Sequence, residues 1–541
     1  MSFIGARRTR ISTRVHEETL TAAQLHKRLH DIQAMYDKGA ATTAFEQAQR
    51  LSDVVPYDAR VLTLAARCAA GCGQHSKAAQ FYDRLLFQQD TAEVWAGKAK
   101  SLNAMTQFDQ TSEAYARAYA LSGNDGYIVE KAAVLLKAGH LEKAYQCLEG
   151  CSPVTKARSR HQLLEAQILG EIGQKHEAFE LAVRASHSNP TARAISLAKM
   201  NAPSDVVFLT FCASLWEKPL SASALAELAA HYPAEFPKSA RDQLHRLVQD
   251  PDVHKAADAH LALFRLCDSE GEGFMALAHL RKYHALLKKG RRREDAALFT
   301  QLSRLNYVPL TQSKSRVLPI FITGLPGSGR HRASALMEKA AGGTSAYPLS
   351  LVEPVMMRLL RKLHASRRLE ISREEMLELQ GELREGLQYA AGNNDVVIDN
   401  GPLNFRWSGL IAAALPEARI LQMKSDNMSS GWAIHRGGWQ HPALKCQHSL
   451  GQIGAFQWRS DVLMRRWEQM FPKRVYGFSG DRLWQDNIAQ VRAMVLACNL
   501  EWSKHCIPTE TKPQQDWHQY SSYMNNRHFS QFAMGAEFRD V

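Results

Sequence analysis

The strongest constraint on this chain is a beat of small residues through its first half. Alanine followed by an aromatic or a second alanine recurs at Ala44-Phe45, Ala78-Ala79, Ala114-Tyr115, Ala144-Tyr145 and Ala178-Phe179. The steps are 34, 36, 30 and 34 residues. Gly139 and Gly173 are also 34 apart, and Gly73 precedes Ala78 as Gly139 precedes Ala144. Each unit reads as an apolar helical stretch, a short polar turn and a second amphipathic stretch. GHLEKAYQCLEG and GQKHEAFELAVRAS show the turn and second helix most clearly. Small residues let two helices approach closely, and the adjacent aromatic fills the space to the next unit. One such hairpin cannot bury its apolar face alone, so the units must stack. An irregular all-helical domain is the plainer alternative.

The spacing resembles the tetratricopeptide family, whose unit is a pair of antiparallel helices. Beyond residue 200 the beat weakens, but AADAHLALFRLCD and GFMALAHLRKYHALLKK read as one more hairpin around Ala276. The segment KKGRRRED (288–295) is either a solvated helix end or an anion-binding patch. The expected division is a repeat array over 18–200, further helical repeats and a linker over 201–314, and an α/β domain over 315–541.

Composition narrows the class. Of 541 residues, 45% are hydrophobic and 22% charged, as in an ordinary folded protein. Sixty-seven lysines and arginines against 54 acids leave +13, which favours an anionic partner without choosing one. The nine cysteines are scattered and complete no metal-ligand set, so buried thiols in a reducing compartment are expected. The basic N-terminus lacks the apolar run of a secretory signal, and nowhere do 18 apolar residues follow one another. The expected location is the cytoplasm, with no membrane span, and a nucleic-acid partner is not expected.

After about residue 315 the pattern changes. Eight of the ten tryptophans lie between Trp407 and Trp517. Strand-like runs at 317–323, 395–400, 418–424 and 473–479 alternate with helical stretches, which indicates a parallel α/β sheet. The first run leads straight into Gly324-Leu325-Pro326-Gly327-Ser328-Gly329-Arg330-His331-Arg332 and then a helix. Gly324 and Gly329 have the spacing of a phosphate loop, in which curled backbone and a helix N-terminus aim N–H groups at one anion. Arg330 and His331 stand where a nucleoside-triphosphate hydrolase carries lysine and a magnesium-binding hydroxyl, so Mg²⁺-ATP chemistry is disfavoured. A Gly-rich turn without a ligand remains the alternative.

The order of these blocks resembles the tetratricopeptide-containing sulfotransferases, close to the protein-tyrosine sulfotransferase branch, over about residues 317–510. The family's 5′-phosphosulfate loop looks like Gly324–His331. Its middle block matches Asp399-Asn400-Gly401-Pro402-Leu403-Asn404-Phe405, Gly409-Leu410-Ile411 and Pro416–Leu421, and its 3′-phosphate block looks like Lys424–Met428. The resemblance implies an N-terminal tetratricopeptide-like solenoid followed by a P-loop-like parallel α/β sulfotransferase domain. It also implies 3′-phosphoadenosine 5′-phosphosulfate as donor and no metal. The acceptor would be a peptide tyrosine or a glycan hydroxyl, and the repeats would bind a protein or peptide. Gly324, Pro326, Gly327, Ser328, Gly329, Arg330, Arg332, Lys424 and Ser425 would hold the donor. Arg330, His331 and Glu353 are the candidate catalytic groups.

The departures cluster. Gly327 replaces the loop cation, Asn400 the middle-block lysine, Ser425 the 3′-phosphate arginine and Ala433 the serine eight residues on; Gly480 aligns with a late tyrosine. The second reading is therefore a catalytically impaired scaffold acting through its repeats. Trp432, His435, Trp439 and His441 read as packing residues or an acceptor wall. Trp517, His518, Tyr520, Tyr523 and His528 read as a docked tail or an acceptor contact.

Overall fold

The computed structural model describes residues 20–287, 294–311, 315–342, 344, 346–439, 441–483, 487–508 and 516–524. The basic stretch 288–293 and His528 lie outside them. The chain forms two compact units, residues 1–134 and 135–541.

The repeat beat has a concrete local cause. The glycines of the polar turns take positive φ: Gly39 at 84°, Gly73 at 79°, Gly139 at 85°, Gly173 at 85° and Gly271 at 78°. At each, the next N–H donates back to a carbonyl five residues earlier, as in Gln74 N to Ala69 O at 2.8 Å and Gln174 N to Leu169 O at 2.8 Å. This satisfies an orphan carbonyl and stops the helix in a left-handed cap that suits glycine. Thr106 makes the same turn at φ 58°, so the beat continues where the sequence shows no glycine. The marker alanines Ala44, Ala78, Ala114, Ala144, Ala178 and Ala276 all lie on second helices and are fully or almost fully buried. In the first unit they pack with Phe45, Phe81 and Tyr115. In the second, Ala178 and Phe179 join Phe208, Phe211 and Leu263 in one core.

Within the second unit, helices continue to Arg304, and the first strand begins at Leu318. Among the described residues five strands follow: β1 Leu318–Thr323, β2 Ala346–Tyr347, β3 Val396–Asp399, β4 Arg419–Lys424 and β5 Val475–Ser479. They form one parallel sheet in the order β2-β3-β1-β4-β5. The α + α/β class is as the sequence implies. The chain leaves β1 for one side of the sheet and later crosses it between β3 and β4. The carboxyl ends of these three strands therefore share the crevice where parallel sheets place ligands. Apolar runs in β1 and β4 are buried on both faces, as such a sheet requires.

The late repeat helices pack on this domain through specific polar contacts. Glu171 is buried and accepts from the Ser350 N–H at 2.9 Å and its hydroxyl at 2.5 Å, just after β2. Arg358 donates to Ala138 O at 2.7 Å. His284 places Nδ1 2.9 Å from His448 Nδ1 and stacks on His435 with centroids 4.0 Å apart.

Candidate functional site

The loop after β1 curls as its glycines allow. Gly324, Gly327 and Gly329 have φ of 150°, 79° and 79°, and Gly329 caps the Arg330–Ala340 helix. The first N–H groups of that helix have no carbonyl within it to bond. Ser328 N donates to Leu325 O at 3.0 Å, which closes the turn. The Ser328 hydroxyl lies over Gly324: a Cβ placed there would be 2.5 Å from Ser328 Oγ. This hydroxyl is buried and has no hydrogen-bond partner among the described residues. Leu325 and Pro326 form the buried outer wall of the curl.

Arg330 is buried, and its Nη1 donates to Asn400 O at the end of β3. Its Nη2 lies 3.0 Å from His331 Nε2. Burial lowers the Arg330 pKa to about 10, partly opposed by the charge of Asp399. The guanidinium thus ends beside Asn400, the residue found where the resemblance leads one to expect lysine. His331 keeps an open surface, yet protein surrounds most of its ring. That enclosure, and then the Arg330 charge, lower its pKa to about 4. A neutral His331 accepting from Arg330 at Nε2 carries its proton on Nδ1, so neither nitrogen is a free base.

Asp399 is buried beneath this pair. Burial pushes its pKa up to about 7, against hydrogen bonds from Gly401 N at 2.8 Å and Leu349 N at 3.3 Å. Asn404 Nδ2 also donates to it at 2.9 Å. The Asp399–Asn404 pair therefore holds the middle block as a rigid turn over the end of β3.

Residues 319–504 match the family model for the sulfotransferase family. Most of the α/β domain thus matches the sulfotransferase family. An uncharacterized protein of Aquifex aeolicus is 24% identical over 204 residues, which are 35% of this chain and 26% of that protein. The match therefore spans about a quarter of that relative. Among solved structures, a tetratricopeptide repeat protein from Parabacteroides merdae aligns with TM-score 0.32 and 13% identity, over 44% of this chain and 98% of that one. The APC/C Cut9–Hcn1 hetero-tetramer aligns at 0.26 and 10% identity, over 88% of each chain. The buried alanines and repeated turns, not these distant likenesses, define the array.

The α/β domain accounts for its own departures. A Cβ on Gly327 would lie 2.8 Å from Ala433 Cβ and 3.0 Å from Ser429 O, both on the Asn427–Arg436 helix. The missing loop cation and the missing serine thus face each other, and backbone fills the space between them. At Gly329 a Cβ would meet Gly480 Cα at 2.7 Å, and one on Gly480 would strike the Ser328 carbonyl. Gly480 has no room for the late tyrosine.

On the 3′-phosphate side, Lys424 Nζ lies 2.7 Å from Glu468 Oε1. Ser425 is half-buried, and its Oγ points to Asp426 O at 3.4 Å. Both line a cleft of about 390 Å³ with Trp458, Asp461 and Arg465. Arg332 reaches Leu483 O with Nε at 3.4 Å.

Glu353 does not stand free. Its oxygens lie 3.0 Å from Arg406 Nη2 and 3.0 Å from His441 Nε2. Burial opposes its ionisation, but the His441 and Arg406 interactions outweigh it and hold the pKa near about 2. His441 Nδ1 accepts from Ala443 N at 3.1 Å, so its proton sits on Nε2 and points at Glu353. The pair pins the Val352–Ala365 helix to the Pro442–His448 turn.

Of the proposed acceptor wall, Trp432 and His435 are interior, whereas Trp439 and His441 line a second cleft. The tail docks. Trp517 donates to Ser429 Oγ at 3.2 Å, Tyr520 to Asp268 Oδ1 at 2.5 Å, and the Tyr523 hydroxyl lies 2.9 Å from His435 Nε2. One residue that sequence alone does not reveal is Glu171. Nothing in its helix marks a long-range role, because its partner Ser350 is 179 positions away.

Proposed function

We propose that this chain transfers a sulfuryl group from 3′-phosphoadenosine 5′-phosphosulfate to a hydroxyl acceptor, a peptide tyrosine or a glycan, recruited by the repeats. The observation that carries the reading is the buried, unpartnered Ser328 hydroxyl inside a glycine loop at a helix N-terminus, two residues before the buried Arg330. A donor with no acceptor in place, at the start of a helix whose first N–H groups have no partner within it, fits an anionic oxygen.

The donor would supply an activated sulfur whose bond to the phosphate oxygen breaks as the acceptor oxygen bonds to it. Gly324, Pro326, Gly327, Ser328 and Gly329 would form the cradle for its 5′ end. Arg330, aided by Arg332, would offset charge on the leaving oxygen. Lys424 and Ser425 would face the 3′-phosphate, once Lys424 gives up Glu468. His331 and Glu353 are the remaining base candidates; each must break a present hydrogen bond to take the acceptor proton. No metal is called for. The nine unbridged thiols support a reducing, cytoplasmic setting as part of the same proposal. No described helix is long and apolar enough to cross a membrane.

Titration calorimetry of the full chain with adenosine 3′,5′-bisphosphate tests the reading. Binding that weakens in Ser328→Ala supports it, and no heat at millimolar nucleotide overturns it. The Gly327–Ala433 contact and the Lys424–Glu468 pair favour a second reading, an impaired transferase acting as a repeat-based scaffold. That reading expects the full chain to retain a protein partner while binding no nucleotide.

A further inference from the structure

The second cleft, about 770 Å³, lies within the second unit between the late repeat helices and the 437–452 segment of the sulfotransferase domain. That volume falls in the range of ligand sites. Arg265 closes part of its floor, donating Nη1 to Ala226 O at 2.6 Å and Nη2 to Gly437 O at 3.1 Å. Its hydrogen bonds thus go to backbone on both sides of the junction.

The repeat wall carries two carboxylates, Glu227 and Asp258. Burial opposes ionisation of Glu227, but hydrogen bonds from His231 and Ser196 outweigh it and keep the group charged. Asp258 is half-buried, and no hydrogen bond or ion pair reaches it among the described residues. Burial raises its pKa to about 6, while nearby His254 and Arg265 pull the other way. At neutral pH it is a partly desolvated anion that makes no direct hydrogen bond or ion pair among the described residues. The facing wall offers Lys445, which is exposed, and the His441 ring already committed to Glu353.

The cleft wall is one packing contact removed from the phosphosulfate loop. Trp439, on its wall, donates Nε1 to Ala433 O at 3.2 Å, and Ala433 is the residue that closes on Gly327.

We propose that this cleft holds the flank of a peptide acceptor, a lysine- or arginine-bearing segment whose cation sits against Asp258 and Glu227. Calling the occupant an acceptor rests on the transferase reading; the charge preference rests on the cleft alone. A desolvated carboxylate gains most from a cation that brings its own hydrogen-bond donors.

The test uses the full chain at pH 7 and three tripeptides: Lys-Tyr-Lys, Gln-Tyr-Gln and Glu-Tyr-Glu. Calorimetry or fluorescence of the tryptophans reads binding. Lys-Tyr-Lys should bind at least about fivefold tighter than the neutral peptide, and Asp258→Asn should remove most of that margin. The substitution is near-isosteric and breaks no pair, so melting temperature should hold, and Glu227→Gln gives a second probe. Equal binding of all three peptides, preference for Glu-Tyr-Glu, or an unchanged margin in Asp258→Asn overturns the proposal. Adenosine 3′,5′-bisphosphate is titrated into the same samples. If it fails to bind, the donor reading falls while the cleft is judged on the peptides. If peptide preference is absent but nucleotide binds, only the cleft proposal falls.

Discussion

Ala433 stands against Gly327, so that a side chain on the glycine would begin 2.8 Å from the alanine Cβ. Two departures that look independent along the sequence are one contact in space. The loop has exchanged a cation for close packing with the Asn427–Arg436 helix. Restoring the charge alone should therefore fail. Gly327→Lys meets both the positive φ and the helix backbone, and should destabilise the protein by about 2 kcal/mol or more. Urea unfolding measures this. A stable Gly327→Lys protein with stronger nucleotide binding would show that the helix yields.

Ser328→Ala separates ligand binding from folding. The hydroxyl is buried without a partner, so its removal breaks no internal hydrogen bond. Stability should change by less than about 0.5 kcal/mol, or rise slightly. Affinity for adenosine 3′,5′-bisphosphate should fall about tenfold, as for a lost hydrogen bond to a charged group. Calorimetry on both proteins reads the two effects.

Glu468 restrains Lys424 at 2.7 Å. Glu468→Gln should release the ammonium into the adjoining cleft and tighten nucleotide binding by roughly threefold to fivefold at low salt, with the gain shrinking as salt rises. Lys424→Ala should abolish the gain when combined with it. An additive double variant would show that Lys424 never reaches the nucleotide.

Acid should loosen the junction formed by His284, His435 and His448. Burial, followed by the charges of its two neighbours, lowers the His284 pKa to about 2. Burial lowers His435 to about 4 against the Gln447 carbonyl, and burial also lowers His448. Tyr283 and Tyr523 pack on the group, with Arg281 over the Tyr523 ring. All three imidazoles are neutral when folded, whereas unfolded histidines take protons from about pH 6.5 downward. The unfolded chain binds more protons below that point, so stability falls as pH drops from about 6.5 toward 4. His284→Phe should retain the stacking and reduce that fall by about 2 kcal/mol between pH 7 and pH 4.5. Urea titrations at the two pH values give the difference.

The sequence carried local rules well. Buried alanines and turn glycines are nearest-neighbour requirements, so their period is visible in one dimension. The strand, loop and helix at 318–340 are likewise contiguous, as is the Asp399–Asn404 turn. Partners joined across long separations were not visible. Nothing near Lys424 announces Glu468, and nothing near Glu353 announces both Arg406 and His441. Glu353 looked available because its charge suits a helix start, yet it is held by two side chains from other segments. Asp258 lay unnoticed because a lone acid on an amphipathic helix reads as solvated surface. In the fold it is half-buried and lines the cleft between the late repeats and the 437–452 segment.

That packing also changes how the array should come apart. In a free-standing array each hairpin leans only on the ones before and after it, so ends fray first and damage stays local. From residue 135 onward the hairpins have a lateral neighbour as well, fastened at Glu171, Arg265 and His284. Melting of the hairpins that carry these three residues would undo the sheet's outer supports at the same moment. The stretch that reads as an adaptor in front of the α/β domain is, mechanically, part of that domain's frame.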